Sequence, residues 1–147
     1  ALPICLGAAA AALAVPSEYR RFCTVLCREP VRALNVFQAK LLEDRCQTLG
    51  ITHLWQGQSD KRIAYHELLT HLSLTPDQVA YIGDDLIDWP VMAEVGLSVA
   101  VGDAHPLLRP RAHYITTLNG GHGAVREVCD LLLLAQGKLE GAIGQSI

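Results

Sequence analysis

Three carboxylates, Asp84, Asp85 and Asp88, fall within five positions immediately after a short apolar run, Val79-Ala80-Tyr81-Ile82, and Gly83. Like charges packed this closely oppose ionisation unless a cation or several hydrogen-bond donors offset them. A four-residue apolar run bounded by a glycine reads as a buried strand, and carboxylates at its end read as a loop built around a cation. The competing reading is an acidic helix N-terminus, where aspartate is favoured by the dipole. It accounts for one carboxylate better than for two adjacent ones. The pattern therefore predicts that the acidic loop holds Mg²⁺ directly or through water, with Asp88, in the following turn, supporting the ligands or fixing the loop.

Around this stretch, short strands alternate with helices. Ala39 to Leu49 has helical spacing and is closed by Gly50. Ile51 to Trp55 reads as a strand and Gln56-Gly57-Gln58-Ser59 as a loop. Asp60 to His71 reads as a helix with Ile63, Ala64, Leu68 and Leu69 inward. Thr75-Pro76-Asp77-Gln78 has the form of a helix start, too close to the next strand for more than one turn. A helix is expected to run from the acidic loop through Val95 to Gly96, with Pro90 in its first turn. Strands at Leu97–Val101 and Tyr114–Thr116 come next, with one helical turn at His105–Arg109 between them. Gly120-Gly121-His122-Gly123 is a loop, and Ala124 to Gln136 a helix closed by Gly137. This grammar predicts an α/β fold, a three-layer parallel sheet flanked by helices, with ligands at the carboxyl ends of the strands.

The chain has 147 residues, enough for one well-buried domain. With 50% apolar and 18% charged residues and a net charge of −3, it is expected to be a compact soluble protein without a nucleic-acid partner. No run reaches membrane-spanning length. An odd cysteine count of five suits a reducing cytoplasm rather than a disulfide framework. Cys23 and Cys27 have no second Cys or His pair to complete a zinc site. Ile4 to Val15 has the composition of a secretory core, but no basic segment precedes it.

Residues 1–38 depart from the alternating grammar. They hold four Arg against two Glu, three of the five cysteines and the run Ala8 to Ala12. No properly capped strand–helix unit is visible. The expected organisation is an atypical, poorly ordered segment at 1–38, a core at 39–137 and a tail at 138–147.

Lys61 opens a helix, where a cation opposes the dipole. A surface lysine is the ordinary explanation; a phosphate-contacting ammonium is the functional one. His122 is a candidate substrate-side group, because its flanking glycines let a ligand approach the backbone. An exposed loop histidine explains it equally well. Arg109, Arg111 and Arg126 could meet a substrate carboxylate, with Arg126 the most structural.

Gln56 to Lys61, Gly83-Asp84-Asp85-Leu86-Ile87-Asp88-Trp89-Pro90-Val91-Met92 and Gly120 to Glu127 together resemble the haloacid-dehalogenase-like phosphatases. Asp88-Trp89-Pro90 and the tail ending Gly144-Gln145-Ser146-Ile147 narrow the resemblance to the family of 3-deoxy-D-manno-octulosonate 8-phosphate phosphatases. It covers Ala39 to Ile147. It implies hydrolysis of a sugar-acid phosphate in lipopolysaccharide biosynthesis, through an aspartyl-phosphate. Mg²⁺ would sit on Asp84 with Asp85 beside it, and Lys61 would offset phosphoryl charge. It also implies a cytoplasmic homotetramer. The family's Asp-x-Asp, whose first aspartate attacks phosphorus, has no counterpart in this chain.

The family's Ser/Thr-containing segment before Ala39-Lys40 is replaced by Asn35-Val36-Phe37-Gln38. The likeness ends abruptly upstream of Ala39, as a disrupted reading frame or altered N-terminus would leave it. The expectation is a sheet missing its N-terminal strands and a chain without meaningful turnover. The alternatives are a non-catalytic metal-binding or assembly subunit, or a site in which Cys23 or Cys27 replaces the nucleophile.

Overall fold

The computed structural model describes residues 4–7, 32–34, 47, 53–55 and 60–137. Six parallel strands form one sheet: β1 (Ile4–Gly7), β2 (Arg32–Leu34), β3 (His53–Trp55), β4 (Ala80–Gly83), β5 (Leu97–Ala100) and β6 (Tyr114–Ile115). Their order across the sheet is β3-β2-β1-β4-β5-β6. The helices described are α1 (Lys61–Leu72), α2 (Trp89–Met92) and α3 (Ala124–Ala135). The α/β fold with a parallel sheet is the one expected.

One expectation about the sheet is corrected. The N-terminal strands are present, and β1 is central, pairing with β2 on one side and β4 on the other. Ile4-Cys5-Leu6-Gly7 is a short all-apolar run, a composition that suits an interior strand of a parallel sheet. In sequence it merges with the alanine run behind it and loses its boundary. Arg32-Ala33-Leu34 is too short to show a period of two. The expected poor order of 1–38, apart from these strands, lies outside the described residues. So do the tail and the helix expected at Ala39–Leu49, except for Gln47, which is helical.

The core is built by Tyr65, Leu68, Tyr81, Ile82, Met92, Leu108 and Leu133, all fully buried. Each side chain of this kind contributes about 1.5–3 kcal/mol on burial. In α1 the inward face is Lys61, Ala64, Tyr65 and Leu68, at i, i+3, i+4 and i+7. Ile63, expected inward, is 56% exposed instead. The stripe is rotated because it begins at Lys61, whose burial periodicity alone does not suggest. The helix expected through Val95 is a 3₁₀ turn, Leu86–Asp88, followed by the single turn of α2, which packs on α1, β4 and β5. The helix start expected at Thr75-Pro76-Asp77-Gln78 is a single 3₁₀ turn, Pro76–Gln78, and Thr75 N–H donates to Gln78 Oε1 at 3.0 Å.

Asp60 caps α1. Its Oδ1 accepts from Arg62 N–H at 3.0 Å, and the Arg62 guanidinium closes back on the same carboxylate at 2.7 Å. The guanidinium hydrogen bond, followed by the main-chain one, holds the Asp60 pKa at about 2, below its ordinary 3.8. Because the folded-state value is depressed, this stabilisation is complete above the ordinary value and is lost as pH falls toward about 2. Asp60→Ala should lower the melting temperature at pH 7. The gap from wild type should close as pH is lowered through that window in calorimetric scans, whereas Asp60→Asn should retain most of the cap.

Candidate active site

The carboxyl ends of β4, β5 and β6 carry the chemistry-bearing loops. Asp88 is fully buried and accepts four hydrogen bonds. Lys61 Nζ–H and Tyr81 Oη–H donate to Oδ1 at 2.6 and 2.7 Å. The main-chain N–H groups of Asp84 and Asp85 donate to Oδ2 at 3.1 and 3.2 Å. One carboxylate therefore ties the start of α1, the middle of β4 and the acidic loop together. Lys61 is 2% exposed, which rules out the surface-lysine reading. Gly83 makes the arrangement possible: a Cβ there would lie 2.6 Å from Asp88 Cβ and 2.8 Å from Met92 Sδ.

Asp84 and Asp85, adjacent in sequence, have different environments. Asp85 is exposed, and its Oδ1 accepts from Leu86 N–H at 2.7 Å, capping the 3₁₀ turn. Asp84 is half-buried, and its Oδ1 is buried without a hydrogen-bond partner among the described residues. Burial, reinforced by the Asp88 charge and only partly opposed by Lys61, raises its pKa to about 6. A partnerless buried carboxylate oxygen whose charge the protein leaves uncompensated is a fitting ligand for a hard cation.

His122 is exposed in the loop before α3; its main-chain N–H donates to Asn119 O at 3.0 Å, and it takes no part in the Asp88 cluster. Arg109 and Arg111 are exposed. Arg126 pairs with Asp130 at 2.6 Å, one turn along α3. A groove of about 910 Å³ is lined by α1-side residues from Asp60 to His71 and by Glu94, and Lys61, Asp84 and Asp88 do not line it.

Two residues of the site are not apparent from sequence reasoning. Tyr81 reads only as part of the apolar run, although its phenol completes the Asp88 cluster. Glu127 enters only as the end of the Gly120–Glu127 segment, with no role assigned to it. Its carboxylate accepts from Tyr114 Oη–H at 2.7 Å and from the main-chain N–H groups of Thr117 and Leu118 at 2.9 and 3.0 Å. Burial raises the Glu127 pKa, but these donors together outweigh it and hold the group below its ordinary range. Its place in the first turn after a glycine loop is the available signal.

Residues 45–128 match the family model of haloacid dehalogenase-like hydrolases. Over 125 residues the chain is 70% identical to the 3-deoxy-D-manno-octulosonate 8-phosphate phosphatase of Yersinia pestis, covering 85% of this chain and 67% of the relative. The chain belongs to the haloacid dehalogenase-like hydrolases, among the 3-deoxy-D-manno-octulosonate 8-phosphate phosphatases. It spans about three fifths to two thirds of the length of the curated relatives it matches. The crystal structure of the Yersinia pestis phosphatase superposes with a TM-score of 0.88 at 55% identity, covering 99% of this chain and 88% of that one. The Moraxella catarrhalis phosphatase was solved in complex with a magnesium ion, a phosphate ion and KDO. It superposes with a TM-score of 0.85 at 29% identity, covering 95% of this chain and 90% of that one.

Removing Asp88 should leave Lys61 buried and uncompensated. Asp88→Ala should cost about 3–5 kcal/mol in urea unfolding. Lys61→Met combined with Asp88→Asn should recover part of that loss, because both buried charges are then removed while an acceptor oxygen remains for the phenol or the main-chain donors.

Proposed function

We propose that this chain carries the metal- and phosphate-binding part of a Mg²⁺-dependent phosphatase acting on a sugar-acid phosphate, 3-deoxy-D-manno-octulosonate 8-phosphate. We propose also that it has little turnover of its own. The single observation that carries the first statement is the acidic loop, with Asp88 saturated by four donors and Asp84 Oδ1 buried and partnerless beside it. Asp84 would hold Mg²⁺, with Asp85 contributing from the rim. When bound, the cation supplies charge neutralisation at a phosphoryl oxygen. Asp88 fixes the direction of the Lys61 ammonium, so that it can offset phosphoryl charge without reorganising. Asp88 also holds the main chain of Asp84 and Asp85, setting where their carboxylates emerge. His122 is a weaker candidate for contact with the sugar acid.

The second statement rests on the neighbouring strand. β1 lies directly beside β4, so its carboxyl end shares an edge with Asp84. A nucleophile cooperating with Asp84 belongs on such a neighbour, but the residues after β1 are Ala8 to Ala12. Without a carboxylate there, formation of an aspartyl-phosphate has no starting point. This favours a second reading, a metal-binding or assembly subunit that keeps the pocket and not the chemistry. A cytoplasmic location, a homotetrameric assembly and a role in lipopolysaccharide biosynthesis complete the proposal by family likeness.

Phosphate release from 3-deoxy-D-manno-octulosonate 8-phosphate with Mg²⁺ should stay far below the ordinary enzyme range of about 1–10³ s⁻¹. Turnover within that range would overturn the proposed inactivity. Amide NMR during Mg²⁺ titration should show saturable shifts centred on the acidic loop in wild type and their loss in Asp84→Ala. The same response in both proteins would refute Asp84 as a ligand.

A further inference from the structure

Glu127 is engaged as fully as Asp88. Besides Tyr114 Oη–H and the N–H groups of Thr117 and Leu118, it accepts from Thr117 Oγ1–H at 2.8 Å. Four neutral donors match the roughly four lone-pair sites of a carboxylate. The loop they belong to is held equally closely on its other side. The Leu118 carbonyl accepts from Gly102 N–H at 3.1 Å and from Thr116 Oγ1–H at 2.6 Å. Gly120 N–H donates to Asp103 Oδ1 at 2.7 Å. There is little room to move: a Cβ at Gly102 would lie 3.0 Å from Asn119 Oδ1, Leu118 O and Thr116 O. The loop after β5 then reaches the acidic loop, where Val101 N–H bonds Gly83 O at 3.2 Å and His105 N–H bonds Asp84 O at 2.8 Å.

From these contacts we infer that Glu127 is a positioning residue for Asp84. Its carboxylate fixes the loop after β6, that loop fixes the one after β5, and the latter holds the Asp84 carbonyl while Asp88 holds the Asp84 N–H. The consequence for binding rests on Asp84 being the cation ligand. Stabilising α3 does not by itself call for main-chain donors from a separate loop; the Arg126–Asp130 pair, within the helix, serves that end.

Glu127→Gln keeps the size of the side chain but turns one acceptor oxygen into a donor facing main-chain N–H groups. In the metal-free full chain, hydrogen exchange at the Gly102, His105 and Asp84 amides should quicken by about 2- to 30-fold, the range of couplings carried through packed networks. Mg²⁺ affinity, read from the Asp84 amide shift, should fall by a factor in the same range. Thr117→Val, which removes one donor, should move the same amides in the same direction by less. Asp130→Asn, which breaks the ion pair on the same helix, should leave them unchanged. Unaltered exchange at His105 and Asp84 in both Glu127→Gln and Thr117→Val, or an equal change in Asp130→Asn, would overturn the assignment. A wild-type protein that ignores Mg²⁺ while these amides still respond to Glu127→Gln would overturn the cation reading and support the main-chain coupling.

Discussion

The contact between Lys61 and Asp88 is the constraint on which the rest of the site depends. Taking two charges out of water costs several kcal/mol per ion after relaxation, and their attraction offsets this only when the remaining donors and acceptors are also satisfied. Here the carboxylate is satisfied by a phenol and two main-chain N–H groups in addition to the ammonium. That requirement explains features that otherwise look unrelated. Lys61 sits at the first position of α1 despite the dipole. Tyr81 points its hydroxyl toward the loop. Position 83 has no side chain because Asp88 occupies the space.

The same loop then separates its carboxylates by function. Asp88 has every acceptor site in use, Asp85 is engaged in capping, and Asp84 retains a buried oxygen with no partner. The sheet supplies the frame: β4 delivers the loop, β5 and β6 deliver the two loops beside it, and hydrogen bonds between those loops make one continuous edge.

Much of this is legible in the chain itself. The apolar runs and glycine stops of the second half locate β4, β5, β6 and α3 to within a residue or two, because each has a clear boundary. The acidic loop and Lys61 are visible as charges placed against their local preference. The pairing between Lys61 and Asp88 is not, since nothing at a separation of 27 positions marks two residues as neighbours. Glu127 escapes notice because its partners are main-chain N–H groups and hydroxyls, which carry no signature in sequence. Strands β1 and β2 escape for another reason: no capped strand–helix unit frames them in the sequence, and parallel pairing is set by partners far along the chain.

The central place of β1 shows how independently scaffold and chemistry can vary. A parallel ladder is made by main-chain groups, and any short apolar segment can supply them, so Ile4 to Gly7 can sit between β2 and β4 without contributing a reactive side chain. The loop that leaves such a strand is under no comparable demand from the sheet. A chain of this kind can therefore keep its architecture and its buried ammonium whatever side chains follow that strand. Overall likeness to an enzyme measures inheritance of the frame, and reactivity has to be read from the few atoms at its edge.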